Sequence, residues 1–257
     1  MRQTPGYHSI NTSLGNAPLV TAALNEQGGM TGIWVGNTKL EFSEAVAVLA
    51  VRPGTRIGYT MQKGDIESQV LVRGWNSDTD VLKPLAYLRY GVWSRIAPEI
   101  GGNAFGDHRY ESLERGFVTG RDRARTRIAD MPVASTATYL GQFIGNAETH
   151  SHGVVGVLGD ASVTVDFSNS SLTLEGTRRG TPFFAISGSI HGNTFSGRMF
   201  DQYGFEAAPP APGATASING GFYGPQAREI GGVYEIAGTG TNFIRHIGAF
   251  GAIRDDE

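Results

Sequence analysis

His150 and His152 form the only close pair among the six histidines of the chain, and Glu148 stands just upstream. On an extended backbone, residues two apart project to the same side, so both rings can reach one metal ion with a carboxylate beside them. The surrounding "NAETHSHGV" also reads as the polar tip of a hairpin, where both rings would simply be solvated. His191 and His246 fall in or beside hairpin turns and read as structural or exposed. A basic run, Arg115, Arg121, Arg123, Arg125 and Arg127, is interrupted by Asp122. It suits an anionic ligand or partner, and equally a solvated linker. No nucleophile elbow, phosphate loop or EF-hand pattern occurs, and the carboxylates are scattered. The chain therefore reads as a binder rather than an enzyme.

The totals narrow the class. There is no cysteine, which excludes disulfides, thiolate metal sites and thiol nucleophiles within the chain. A net charge of -3 argues against general nucleic-acid binding. No apolar stretch is long enough to span a membrane as a helix, and the opening "MRQTPGYHSINTS" lacks the apolar core of a signal peptide. That leaves an intracellular protein or the mature form of an exported one.

The elements that must hold these residues are strands. With 18% charged residues and 37 glycines, the composition suits an all-β protein. From residue 131 onward, "ATYLGQFIG", "ASVTVDF", "SLTLEGT", "FFAISGSI", "NTFSGRMF", "ATASINGGFYG", "GGVYEIA" and "HIGAFGAIR" alternate with period two between turn signals. In Ser162–Phe167 the side chains of Val163, Val165 and Phe167 share one face. Eight such strands predict a closed antiparallel barrel, which removes exposed edges. Glycines within its strands mark tight coiling and close backbone approach. "TGIWVG", "TKLEFS", "AVAVLAVR", "TRIGYTMQ", "SQVLVRGW" and "AYLRYGVWSR" predict a less regular β domain over 1–130, in which "SEAVAVLAV" is alternatively a short helix. Arg115–Thr136 reads as its terminal linker, and the barrel as 131–257.

"GGFYGPQAREIGGVYEI" followed by "IGAFGAIR" resembles the last strands of the transferrin-binding protein B-like β-barrel family. "TATYLGQFIG" resembles the first barrel strand, and "GNTFSGRMF" a barrel hairpin of the same family. "YLRYGVWSR" resembles a strand of the handle-like β domain that precedes such barrels. The resemblance implies a handle followed by an eight-stranded barrel, in a protein secreted by or displayed on the outer membrane of a Gram-negative bacterium. It favours the exported form over the intracellular one.

The resemblance also implies a ligand: haem or a host iron-carrier protein, with export through an outer-membrane translocon or receptor. The expected haem site draws on the handle. His108 or Tyr110 would be the iron ligand, Arg109 or linker arginines the propionate partners, and Trp34, Trp75 or Trp93 the walls. His150 and His152 remain the alternative metal pair. A surface adhesion or immune-evasion module with no small ligand is the competing reading, because one fold serves many ligands.

Overall fold

The computed structural model describes residues 7–11, 20–24, 30–41, 46–49, 57–63, 66–73, 85–96, 112–121, 124–149, 153–200, 215–238 and 243–255. Its first nine strands are β1 (Tyr7–Asn11), β2 (Val20–Leu24), β3 (Met30–Val35), β4 (Thr38–Glu41), β5 (Val46–Leu49), β6 (Ile57–Lys63), β7 (Ile66–Arg73), β8 (Leu88–Ile96) and β9 (Ser112–Arg121). Eight more follow: β10 (Thr136–Thr149), β11 (Gly153–Asp166), β12 (Ser171–Arg178), β13 (Thr181–His191), β14 (Thr194–Phe200), β15 (Thr215–Tyr223), β16 (Glu229–Ala237) and β17 (Phe243–Arg254).

The last eight strands close into a barrel in chain order, with β17 returning to pair with β10. The first nine form the handle: a six-stranded sheet in the order β1-β9-β8-β7-β6-β5 and a three-stranded sheet β2-β3-β4. The all-β, handle-plus-barrel architecture read from the sequence is the one observed.

Alternation builds the barrel. Val163, Val165 and Phe167 point into the lumen and are buried, as are Leu172 and Leu174 on the next strand. The lumen holds aromatic rings rather than a channel. Phe222 packs with Tyr139, Phe167 and Phe195, while Tyr234 packs with Phe143, Phe184 and His246 further along. On the neighbouring strands β15 and β16, Phe222 stands opposite Ile230, and Tyr234 opposite Ile218. Glycines make room for the rings. A side chain at Gly176 would meet the Phe184 ring, and one at Gly232 would meet Phe250, Phe195 and the Asn219 carbonyl.

One expectation changes. Residues 115–121 are not linker but most of β9, the second strand of the handle sheet, and Arg115 is buried there. Val46–Leu49 is the strand read from "AVAVLAVR", and the alternative short helix does not form there. The turn after β15 is a short 3-10 segment, Pro225–Ala227, with Gln226 in the left-handed region at φ 52° and ψ 37°. Gly224 leads into it at φ 75°, a conformation glycine adopts without strain.

A true connector, Ala124 to Pro132, seals one end of the barrel. Thr126 N–H donates to the Phe222 carbonyl at 3.0 Å, and Gly224 N–H donates to the Ala124 carbonyl at 2.6 Å. Thr126 Oγ1 donates to the Gly224 carbonyl and Asn193 Nδ2 to the Thr126 carbonyl, both at 2.7 Å. Arg125 bridges to Tyr223 and lays its guanidinium 6.0 Å from the centre of that ring.

Candidate functional site

The handle lies along the outer wall of the barrel, and this seam has its own core. Leu85, Leu88, Tyr90, Val92 and Val118 of the handle pack on Ile144, Tyr223, Val233 and Ala249 of the barrel. Parity explains the choice of residues. On β17, Phe250 and Ala252 face the lumen, so Ala249 faces out; on β16, Tyr234 faces the lumen and Val233 faces out. Each fully buried Leu or Val contributes about 1.5–3 kcal/mol.

Glycine lets two sheets meet this closely. A side chain at Gly231 would press on Leu88 and Val118, and one at Gly251 would strike the Tyr90 ring. A side chain at Gly116 of the handle would run into the Gly248 carbonyl. The "GGFY" and "EIGG" pairs stand opposite one another, Gly221 across from Gly231 and Gly220 across from Gly232. Gly231 opens the outer wall to the handle; Gly220 and Gly232 open the lumen to Phe195.

One charged side chain sits at the end of this seam. Glu229, the first residue of β16, is 1% exposed. Its Oε1 accepts the Ala86 N–H at 2.6 Å, and its Oε2 accepts those of Tyr87 at 3.0 Å and Leu88 at 3.2 Å. Burial pushes the Glu229 carboxyl above the usual carboxylate range, and the three amides and the Arg89 charge partly oppose that shift. Arg89 holds the same turn from its other side, donating from Nη1 to the carbonyls of Leu85 at 2.8 Å and Leu88 at 2.7 Å.

A second buried titratable group lies in the lumen. The His246 ring is fully buried among Phe143, Phe183, Phe184 and Tyr234, with centroid distances of 5.2 to 6.2 Å. Burial, helped by the Arg178 charge, pushes its pKa down to about 3. Of the two alternatives read for the turn-side histidines, structural holds for His246, which strand parity turns inward, and exposed holds for His191.

Trp75, His108, Arg109 and Tyr110 lie outside the described residues, as do His150 and His152, which fall between the paired strand ends Thr149 and Gly153. Trp34 is half-buried on β3, opposite Lys39. Trp93 is 1% exposed, so a ligand reaches its ring only if the handle opens. It stands directly opposite Arg115, and both point away from the barrel, the reverse of Val92 and Gly116. An aromatic and an arginine expected at one site are therefore neighbours. Among the described residues, no group of three or more His, Asp or Glu side chains can hold a metal ion. The geometry is that of two β bodies packed along one apolar seam.

Residues 131–254 match the family described as the C-lobe and N-lobe beta barrels of Tf-binding protein B. The chain is 31% identical over 175 residues to transferrin-binding protein B of Neisseria meningitidis serogroup B, a match spanning 60% of this chain and 24% of the relative. It is 29% identical over 154 residues to the protein of the same name from Moraxella catarrhalis, spanning 55% and 21%. The chain thus spans about a quarter of the length of these curated relatives. Among solved structures, a transferrin-binding protein B variant from Haemophilus parasuis Hp5 superposes with a TM-score of 0.58 at 18% identity, covering 98% of this chain and 45% of the other. The isotype 1 protein from serogroup B Neisseria meningitidis gives 0.55 at 17%, covering 98% and 44%. At such identities the likeness is one of fold. Sequence motif, strand order and closure agree: residues 131–254 form a transferrin-binding protein B-like β-barrel, preceded here by a handle.

Proposed function

We propose that this chain is a binding protein displayed on or released from a Gram-negative cell surface, where it captures a host iron-carrier protein. The observation that supports this reading is the handle laid along a barrel of this type, an arrangement that matches transferrin-binding protein B structures over 98% of the chain. The relatives' shared name supplies the partner class. The scaffold suits capture rather than turnover, because its buried acid and imidazole are enclosed by packing instead of facing a cleft. Export through an outer-membrane translocon belongs to the same proposal.

Immobilised protein exposed to iron-loaded transferrin, lactoferrin and haemoglobin, each in turn, tests it. Saturable binding to one of these is the expected result. Binding to none, together with a Soret shift on adding haemin, would replace protein capture with direct haem capture. Binding to neither, with retention of a complement or matrix protein, would favour the adhesion or immune-evasion reading.

A further inference from the structure

The seam between handle and barrel is mostly apolar, and apolar contact is non-directional. A carboxylate buried in such a place is costly, and an apolar residue of the same size would often serve stability as well. What the carboxylate adds is direction. Three consecutive amides, those of Ala86, Tyr87 and Leu88, converge on its two oxygens. Arg89 gathers the carbonyls of Leu85 and Leu88. The segment entering β8 is therefore gripped by its donors from the barrel and by its acceptors from its own arginine.

We propose that Glu229 is a positioning residue: its grip on Ala86–Leu88 fixes the angle at which the handle sits on the barrel, and with it the shape of any partner surface that spans both. The lumen core, built from other residues, keeps the barrel folded without it. Glu229→Gln retains one oxygen acceptor but turns an N–H donor toward the remaining amides. Glu229→Ala removes the grip altogether.

The absence of cysteine makes the test clean. Spin labels at Asn37→Cys, in the exposed turn between β3 and β4, and Glu175→Cys, on the exposed face of β12, report handle-to-barrel distance in the full chain. Amide exchange reports the seam and the lumen separately. In Glu229→Gln and Glu229→Ala the distance distribution should broaden, and exchange at Ala86, Tyr87 and Leu88 should quicken about tenfold or more. Exchange at Val163 and Val165 of the lumen should stay at its wild-type rate. A wild-type distribution in both variants overturns the proposal. So does exchange that quickens equally at the seam and in the lumen, because that marks general destabilisation. If Glu229→Ala does not fold, Glu229→Gln alone decides by the same two readouts.

Discussion

Glu229 Oε2 accepts the Leu88 N–H at 3.2 Å across 141 residues of chain. One carboxylate thereby joins the start of a barrel strand to the start of a handle strand, beside the seam where Leu88 packs over Gly231. Gly231 and Gly251 of the closing motif are the outer half of the same joint. They keep the wall low so that the handle can lie on it.

Gly251→Val tests that joint from the apolar side. Its side chain would point outward into the Tyr90 ring and Leu85, not into the lumen. We expect a loss of about 1–3 kcal/mol in thermal or denaturant unfolding. Protease sensitivity should rise in the handle before the barrel. Unchanged stability would show that the seam has slack that its packing does not display.

The connector should matter to the barrel more than its sequence suggests. A fragment of residues 124–257 keeps the bonds that Ala124 and Thr126 make to Phe222 and Gly224, whereas 131–257 loses them. Both fragments should fold cooperatively on the lumen core, with the longer one more stable by about 1–3 kcal/mol. Both also expose the outer stripe of Ile144, Val233 and Ala249, so self-association at high concentration is expected. Equal melting temperatures would remove the connector from the barrel's account, and a molten 131–257 would deny the barrel its independence.

The barrel was legible where its strands lie clear of the handle and keep one wet face. Leu172 and Leu174 alternate with exposed or half-buried neighbours, and the period shows. β9 was not, because both faces of "RGFVTG" are covered; consecutive Phe117 and Val118 are both fully buried, so no alternation remains, and its arginine looks like linker. Glu229 gave no signal, since its partners are backbone amides far away in the chain. His246 sits near a turn, and only its parity with Phe250 and Ala252 marks it as inward. The motif's glycines were readable as close-approach positions, but which were filled by lumen rings and which by the handle depends on a partner sheet that no local pattern encodes.

Gly232→Val should cost more than Gly238→Ala. The first places a branched side chain against Phe250, Phe195 and the Asn219 carbonyl, at about 1–3 kcal/mol or more. The second puts alanine on an exposed turn at φ 73°, where the cost is conformational, about 1 kcal/mol. Melting temperatures in the reverse order would refute the packing assigned to the motif.

Direct haem capture, if it occurs, should depend on the handle, because the lumen is filled by rings. His108→Ala is expected to weaken haemin binding about tenfold, or roughly 1.4 kcal/mol, by absorption titration. Tyr110→Phe identifies the alternative ligand, and the double variant His150→Ala with His152→Ala should bind as wild type. Loss of the Soret band in the double variant alone would move the site to the barrel.

His246 should make the barrel acid-sensitive. Its folded pKa of about 3 lies below the ordinary 6.5, because the charged ring would be enclosed by four aromatic side chains. As pH falls, the unfolded chain takes up the proton first. The stability due to the neutral ring is therefore complete above about pH 6.5 and is lost as pH drops from there toward 3, at up to about 1.4 kcal/mol per unit. His246→Phe keeps an aromatic ring of similar size and removes the titration. Carboxylates contribute to both proteins alike, so the difference between their stability curves isolates the imidazole. That difference should shift progressively in favour of His246→Phe from pH 7 to pH 4. Parallel curves over that range would mean that His246 charges within the folded barrel, with the aromatic cage open to water.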